Sequence, residues 1–193
     1  GDARKFDEKF IPEPGGHDNA LDLVKQIDGL NHGVYQDSNI ENGSPMDFCI
    51  GVAGYPEKHF EAPSLKSDMR FTKKKIEAGA DYIVTQMFFD NAKFFHYAEQ
   101  CKKEGIEVPI VPGIKPLTKK YQLNSIPRNF YIDLPYELVR AIQKAKTDEA
   151  VIEVGIEWCV EQSRELKKAG VPCIHYYTMG DSDVVRRIVS QIQ

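Results

Sequence analysis

The sequence predicts an α/β chain built on parallel strands, and three observations carry that expectation. Four near-continuous apolar runs, Phe48–Ala53, Tyr82–Phe89, Val108–Val111 and Cys173–Met179, match strands buried on both faces. Each is followed by a stretch of helical periodicity, and strand, helix, strand within about forty residues implies a right-handed parallel crossover. Polar side chains gather where the first two runs stop: Tyr55, Glu57, His59 and Glu61 after the first, Gln86 and Asp90 on or just past the second. Ligands of parallel α/β folds bind at that carboxyl edge.

Residues 3–17 alternate in charge and then run Pro12-Glu13-Pro14-Gly15-Gly16, which forbids regular structure. This segment is a loop at the functional edge or a disordered end. Asp18 or Asn19 caps a short amphipathic helix carrying Leu21, Val24, Ile27 and Leu30. Residues 29–47, rich in Asn, Ser, Gly and Pro, form a loop of unusual length. After the first strand comes a helix over Ser64–Ala78, with Leu65, Met69, Thr72 and Ile76 on one face and Gly79 as C-cap. Asp90-Asn91 caps the next helix, which turns Phe94, Phe95, Ala98 and Cys101 inward and ends near Gly105. Pro112-Gly113 breaks the third strand. Leu117–Ser125 forms a short helix that Pro127 stops, and Leu134-Pro135 starts another with Tyr136, Val139 and Ile142 along one side. Asp148 and Glu149 favour the N-terminus of a long helix that Gly170 ends. Asp181-Ser182-Asp183 caps the closing helix, Val184–Ile192. Taken alone, four strands with their helices suggest a small doubly wound fold.

With 193 residues, 41% of them hydrophobic, the chain is long enough for one sizeable domain. A net charge of −4 and a pI near 5.8 give no electrostatic case for nucleic acid or an anionic membrane. No apolar run approaches the roughly 18 to 20 residues that span a bilayer, and the first residues show no signal-peptide pattern. Cys49, Cys101, Cys159 and Cys173 are scattered in apolar contexts, so buried reduced thiols and a reducing cytosol are expected. There is no G-x-S-x-G, P-loop, HExxH or G-x-G-x-x-G, and no cluster of His, Asp and Glu that would hold a metal. His175 is expected to be a satisfied core histidine. Gln86, inside an apolar run, is either satisfied by its neighbours or turned to a polar ligand.

Four blocks occur in order: GVAGYPEKH at 51–59, GADYIVTQMFFD at 79–90, VPGIKPL at 111–117 and HYYT at 175–178. Together they resemble the methylenetetrahydrofolate reductase family over most of the chain. The resemblance implies a (βα)8 TIM-barrel type with only about the last four βα units present, residues 1–193 being the C-terminal half of a single catalytic domain. Gly1-Asp2 is similar to the end of an Arg-Gly-Asp strand terminus, which would start this chain just after strand four. Four units leave two sheet edges and an inner face unpaired unless something completes them.

The same resemblance implies FAD as cofactor and NADH or NADPH as reductant. The reaction would be reduction of 5,10-methylenetetrahydrofolate to 5-methyltetrahydrofolate, in cytoplasmic one-carbon metabolism and methionine biosynthesis. The implied partner is the folate alone, with a homo-oligomer at full length. Asp2 and Gln86 match the family's catalytic pair; Asp2 would lie between flavin and pterin, with Gly1 beside it. Gln86 and Gln122 match folate-contacting glutamines. Tyr55, His59, Glu61 and Ala62 match the loop that wraps the flavin, and Ala20 a backbone contact to the adenosine side. Asp68, Lys74 and Lys75 match contacts to ribose and phosphates, although a lysine run on a helix is ordinarily a solvated face. Phe71 stands where asparagine is frequent, and Asp181 near where an arginine binds the folate tail; Lys115 and Arg186 are possible substitutes. The family's general acid has no counterpart in these residues, so the 193-residue piece alone is expected to be inactive. Two other classes stay open: a non-catalytic half-barrel that binds or pairs, and a lyase or aldolase half, for which Lys115 would be the Schiff-base lysine.

Overall fold

The computed structural model describes residues 10–37 and 39–192. Helix α1 is Ala20–Asn31, and Asn19 caps it by accepting the Asp22 amide at 3.2 Å. Strand β1 is Gly51–Gly54, shorter than the apolar run implied. The reason lies on α1. The Asn31 side chain takes both backbone groups of Phe48, N–H at 2.8 Å and C=O at 2.9 Å, in place of a ladder partner. Helix α2, Leu65–Glu77, starts from a Ser64 cap and leads to β2, Tyr82–Thr85. This strand also stops early. The Gln86 amide makes a last rung to the Gly54 carbonyl at 2.8 Å, and beyond it side chains of a later helix, Gln162 and Trp158, take the carbonyls of Phe88 and Phe89.

Helix α3, Asn91–Lys103, is capped by Asp90 and precedes β3, Ile110–Val111, and β4, Gly113–Ile114. The break expected at Pro112-Gly113 is instead a handover between partners. Pro112 has no N–H to give, but its carbonyl accepts from His175 at 2.9 Å, while the Gly113 amide donates to the Thr85 hydroxyl at 2.9 Å. The chain therefore pairs with β2 before the proline and with β5, His175–Tyr176, after it.

Helices α4 (Gln122–Phe130), α5 (Tyr136–Lys144) and α6 (Asp148–Lys168) lie between β4 and β5, and α7 (Ser182–Val189) follows. The expectation for α4 was wrong, since it starts at Gln122 and runs through Pro127. The amides of Gln122 and Leu123 are already held by Lys119 and Lys120, so the proline interrupts a turn that is formed. Tyr131, in the left-handed region at φ 55°, ends the helix.

Pairing is parallel throughout, in the sequence order β1-β2-β3 and β4-β5. A doubly wound sheet reverses its order at a switch point, and no reversal occurs among these strands. The two faces of the sheet differ. Val52 and Ile83, 6% and 0% exposed, pack with Val24, Met69, Tyr97 and Cys101 of α1, α2 and α3. Ile114 joins Phe88, Phe94 and Leu166 on the same side. Alternate residues Gly51, Ala53, Tyr82, Val84 and His175 are partly or fully exposed. Burial on both faces, expected from the apolar runs, is thus met over residues 111–117 but on only one face in β1, β2 and β5.

A second core of Met87, Phe89, Leu117, Ile126, Leu138, Ile142 and Val151 packs where β2 and β4 run out. There α6 comes so close to the chain that a Cβ on Gly155 would meet the Leu117 carbonyl. Of the four thiols, Cys101 and Cys159 are buried but Cys49 and Cys173 are exposed, because both precede the paired part of their strands. Burial pushes the Cys101 thiol up to about 11 and that of Cys159 up to about 12.

Candidate active site

The loop that follows β1 is held from within. Lys58, at φ 80°, folds its ammonium back onto the carbonyls of His59 (2.9 Å), Phe60 (3.4 Å) and Ala62 (2.6 Å). Asp68, in the first turn of α2 and 6% exposed, accepts the His59 amide at 2.9 Å. The Glu61 amide donates to His59 Nδ1 at 3.2 Å, which leaves Nε2 as the protonated nitrogen of the neutral ring. Tyr55 meets the His59 ring edge-on at 4.6 Å, and Phe60 stacks on Tyr131 at 5.0 Å. The Glu61 carboxylate points to solvent. Of the expected cofactor contacts on this loop, Tyr55, His59, Glu61 and Ala62 are together; the Ala62 carbonyl is already committed to Lys58.

Glu57 and Lys93 brace the same loop from outside, a feature absent from the sequence reading. The Glu57 side chain, 8% exposed, accepts Lys93 Nζ at 3.0 Å and the Asp133 amide at 3.2 Å, while Lys93 also reaches the Asp133 carboxylate at 3.1 Å. Burial raises the pKa of Glu57 despite those partners. Burial works against the Lys93 charge too, but Glu57 and Asp133 outweigh it and hold that pKa above the usual lysine value. The pair costs more on the carboxylate side because the carboxylate is the more deeply buried partner. The signal available was Glu57 among the polar residues of the loop; nothing local pointed to Lys93.

On α2, neighbours in sequence diverge in space. The Lys75 ammonium reaches the Ala53 carbonyl at the end of β1, at 2.6 Å, and burial lowers its pKa against the opposing charge of Asp68. Lys74 is exposed, 5.4 Å from the Phe71 ring, and lines a groove with Leu21, Lys25 and Asp28 of α1. Ala20 opens α1, so the two lysines serve different parts of the surface. Asp68 is buried on a backbone amide and acts on the loop rather than outward.

Gln86 lies just past β2, and alternation from Tyr82 and Val84 sets it on the exposed face. Its Oε1 accepts the Met87 amide at 3.3 Å, and its side-chain NH2 has no partner among the described residues. Gln122 is the first residue of α4, and its Oε1 caps the preceding turn by accepting the amides of Thr118 (2.7 Å) and Lys119 (3.0 Å). Tyr177 lies against Gly113 and donates its hydroxyl to the Thr85 carbonyl at 2.9 Å, and the exposed His175 ring meets it edge-on at 4.7 Å. The expectation of a core histidine at 175 fails, since its side of β5 is uncovered. Asp181 caps α7 through the Asp183 amide, and Arg186 pairs with Asp183 on the surface of that helix. Gly1 and Asp2 lie outside the described residues.

Among the described residues no group of three or more His, Cys, Asp or Glu side chains is placed to hold a metal ion. Nor is any helix there long and apolar enough to cross a membrane.

Known proteins place the chain. Methylenetetrahydrofolate reductase (NADH) 1 of Arabidopsis thaliana is 36% identical over 189 residues, covering 93% of this chain and 30% of the plant protein. A probable methylenetetrahydrofolate reductase (NADPH) of Caenorhabditis elegans is 36% identical over 147 residues, covering 75% of this chain and 22% of the nematode protein. A 5,10-methylenetetrahydrofolate reductase of Pectobacterium carotovorum is 34% identical over 139 residues, covering 72% of this chain and 47% of the bacterial one. The chain thus spans less than half the length of each. Among solved structures, an uncharacterized protein from Clostridium thermocellum that binds two copies of 5-methyl-5,6,7,8-tetrahydrofolic acid aligns with TM-score 0.47 and 17% identity, over 74% of this chain and 52% of that one, too distant a likeness to bear on function. The family model described as Methylenetetrahydrofolate reductase matches residues 1–193, and with relatives at this identity over nearly its whole length, the chain belongs to that family.

Proposed function

We propose that these residues form one wall of the active site of a flavin-dependent methylenetetrahydrofolate reductase. The uninterrupted parallel order of the strands supports reading them as consecutive staves of a (βα)8 barrel, with residues 1–193 its C-terminal half. The observation that carries the reading is Gln86: a half-buried side-chain amide at the carboxyl edge of β2, with its NH2 unpartnered among the described residues. A primary amide presents one donor and one acceptor side by side, which suits the amide-like edge of a pterin.

The residues around β1 fit FAD. Lys75 holds a half-buried ammonium at the end of that strand with a single carbonyl partner among the described residues, and such a charge suits a diphosphate. Tyr55 and His59 offer ring surface beside it, Asp68 and Lys58 keep that loop in shape, and Lys74 with Ala20 lies toward the adenosine side. When bound, FAD would supply a two-electron carrier that takes hydride from NADH or NADPH and gives it to the folate. The chain's own part is to orient: Gln86 fixes the ring, Gln122 offers its remaining N–H donors, and Asp2 tunes the site. On this reading the 193 residues alone, which span under a third of the plant relative, do not turn over NADH.

Gln86→Ala in the full-length protein tests the assignment. The folate half-reaction should slow roughly tenfold or more, the scale of one lost hydrogen bond, while reduction by NADH stays within about twofold. Stopped-flow absorbance of the flavin reads the two halves separately, and equal losses would remove the pterin-contact role.

A further inference from the structure

Lys115 is 9% exposed and sits one residue beyond β4. Ile114 faces the helices with Phe94 and Leu166, so alternation sets Lys115 on the opposite face with Gly113, where both are buried. Its ammonium has one partner among the described residues, the Tyr177 carbonyl, at a long 3.5 Å. No carboxylate pairs with it there. A buried cation left with one weak acceptor is costly, and burial accordingly lowers its pKa, against the influence of Cys159. A group kept at such cost has either a missing partner or a ligand.

Register says which ligand atom it can reach. Val84 pairs with Val111, and past the proline the Gly113 amide still reaches the Thr85 hydroxyl at 2.9 Å while Gly113 pairs with His175, so Gly113 lies beside the Thr85–Gln86 end of β2. Lys115, two residues beyond Gly113, therefore lies past the end of β2 on the face that carries Gln86. The glycine leaves the space between them to the Tyr177 ring. One bicyclic ring lying on Tyr177 would meet the Gln86 amide at one edge and the lysine at the next.

We propose that Lys115 is a substrate-binding residue whose ammonium donates a hydrogen bond to a ring carbonyl oxygen of the folate pterin, beside the edge held by Gln86. This rests on the folate reading above. Lys115→Met in the full-length protein should weaken 5-methyltetrahydrofolate binding by roughly tenfold to a hundredfold in equilibrium dialysis, the range of a charged hydrogen bond, with FAD retention and thermal midpoint not reduced. A second measurement needs no variant. Acylation of wild-type Lys115 by acetic anhydride, followed by peptide mass spectrometry, should slow at least tenfold with 5-methyltetrahydrofolate present. Wild-type binding that persists unchanged in Lys115→Met, loss of FAD in place of folate, or acylation unaffected by the folate would overturn the inference alone. Absence of 5-methyltetrahydrofolate binding by the wild type would overturn the folate reading and this inference with it.

Discussion

The two faces of one sheet obey different rules here. Toward the helices, Val52, Ile83 and Ile114 are closed in by side chains from four helices and retain almost no solvent contact. Toward the other side, Gly51, Ala53, Tyr82 and Val84 are partly bare, and the same face carries Gln86, His175, Tyr177 and Lys115 at its carboxyl end. The covered face supplies stability, and its residues are selected for volume. That second face also carries the Gln86 NH2, which has no partner among the described residues, and the Lys115 ammonium, which has one long contact there, and those are the groups a ligand can use.

That contrast can be broken most sharply at adjacent positions of β2. Ile83→Ala, at 0% exposure among α2 and α3 side chains, should cost about 3 kcal/mol in urea unfolding, while Val84→Ala should cost about 1 kcal/mol or less. Equal costs would mean that the second face is covered as well. A smaller effect is expected at the rim where the faces meet. Lys93→Met strands the buried Glu57 carboxylate and should cost about 1 kcal/mol, allowing for the exposure of Lys93; Glu57→Gln, which removes the buried charge, should cost less. The reverse order would place the burden on the lysine.

The cysteines report the same contrast with least perturbation. At pH 8 a thiol reagent should label Cys49 and Cys173 quickly and leave Cys101 and Cys159 until the protein unfolds. The latter two have folded pKa values of about 11 and about 12, above the ordinary 9.0. Between those limits the native state holds protons that the unfolded state has released, so their contribution to stability falls as pH rises from about 9 to about 12. Replacing both with alanine should flatten that part of the pH–stability curve.

Much of the architecture was legible in order and type. The caps at Asn19, Asp90 and Asp181 were readable because the capping side chain sits beside the amides it serves. Strand ends were not readable, because distant side chains set them: Asn31 ends the need for pairing at Phe48, and Trp158 does so at Phe89. Pro127 misled for a related reason, since a helix already started by a preceding turn tolerates a proline that a bare sequence rule would treat as a stop. At the candidate site, residue types at the strand ends were visible, but Lys58, Lys93 and the free edge of Gln86 were not.

By itself the sequence determined the alternation of strand and helix, which follows from periodicity, and the family, which the four blocks in their order carry, together with the residue types at the strand ends. Only the tertiary structure decided which face of the sheet stays open. It also sent Lys75 to the end of β1 while Lys74 turned to α1, and left Lys115 with a single weak partner among the described residues. Those outcomes depend on what packs against each residue from elsewhere in the chain, and burial and hydrogen-bond satisfaction are set by that packing rather than by neighbours in sequence.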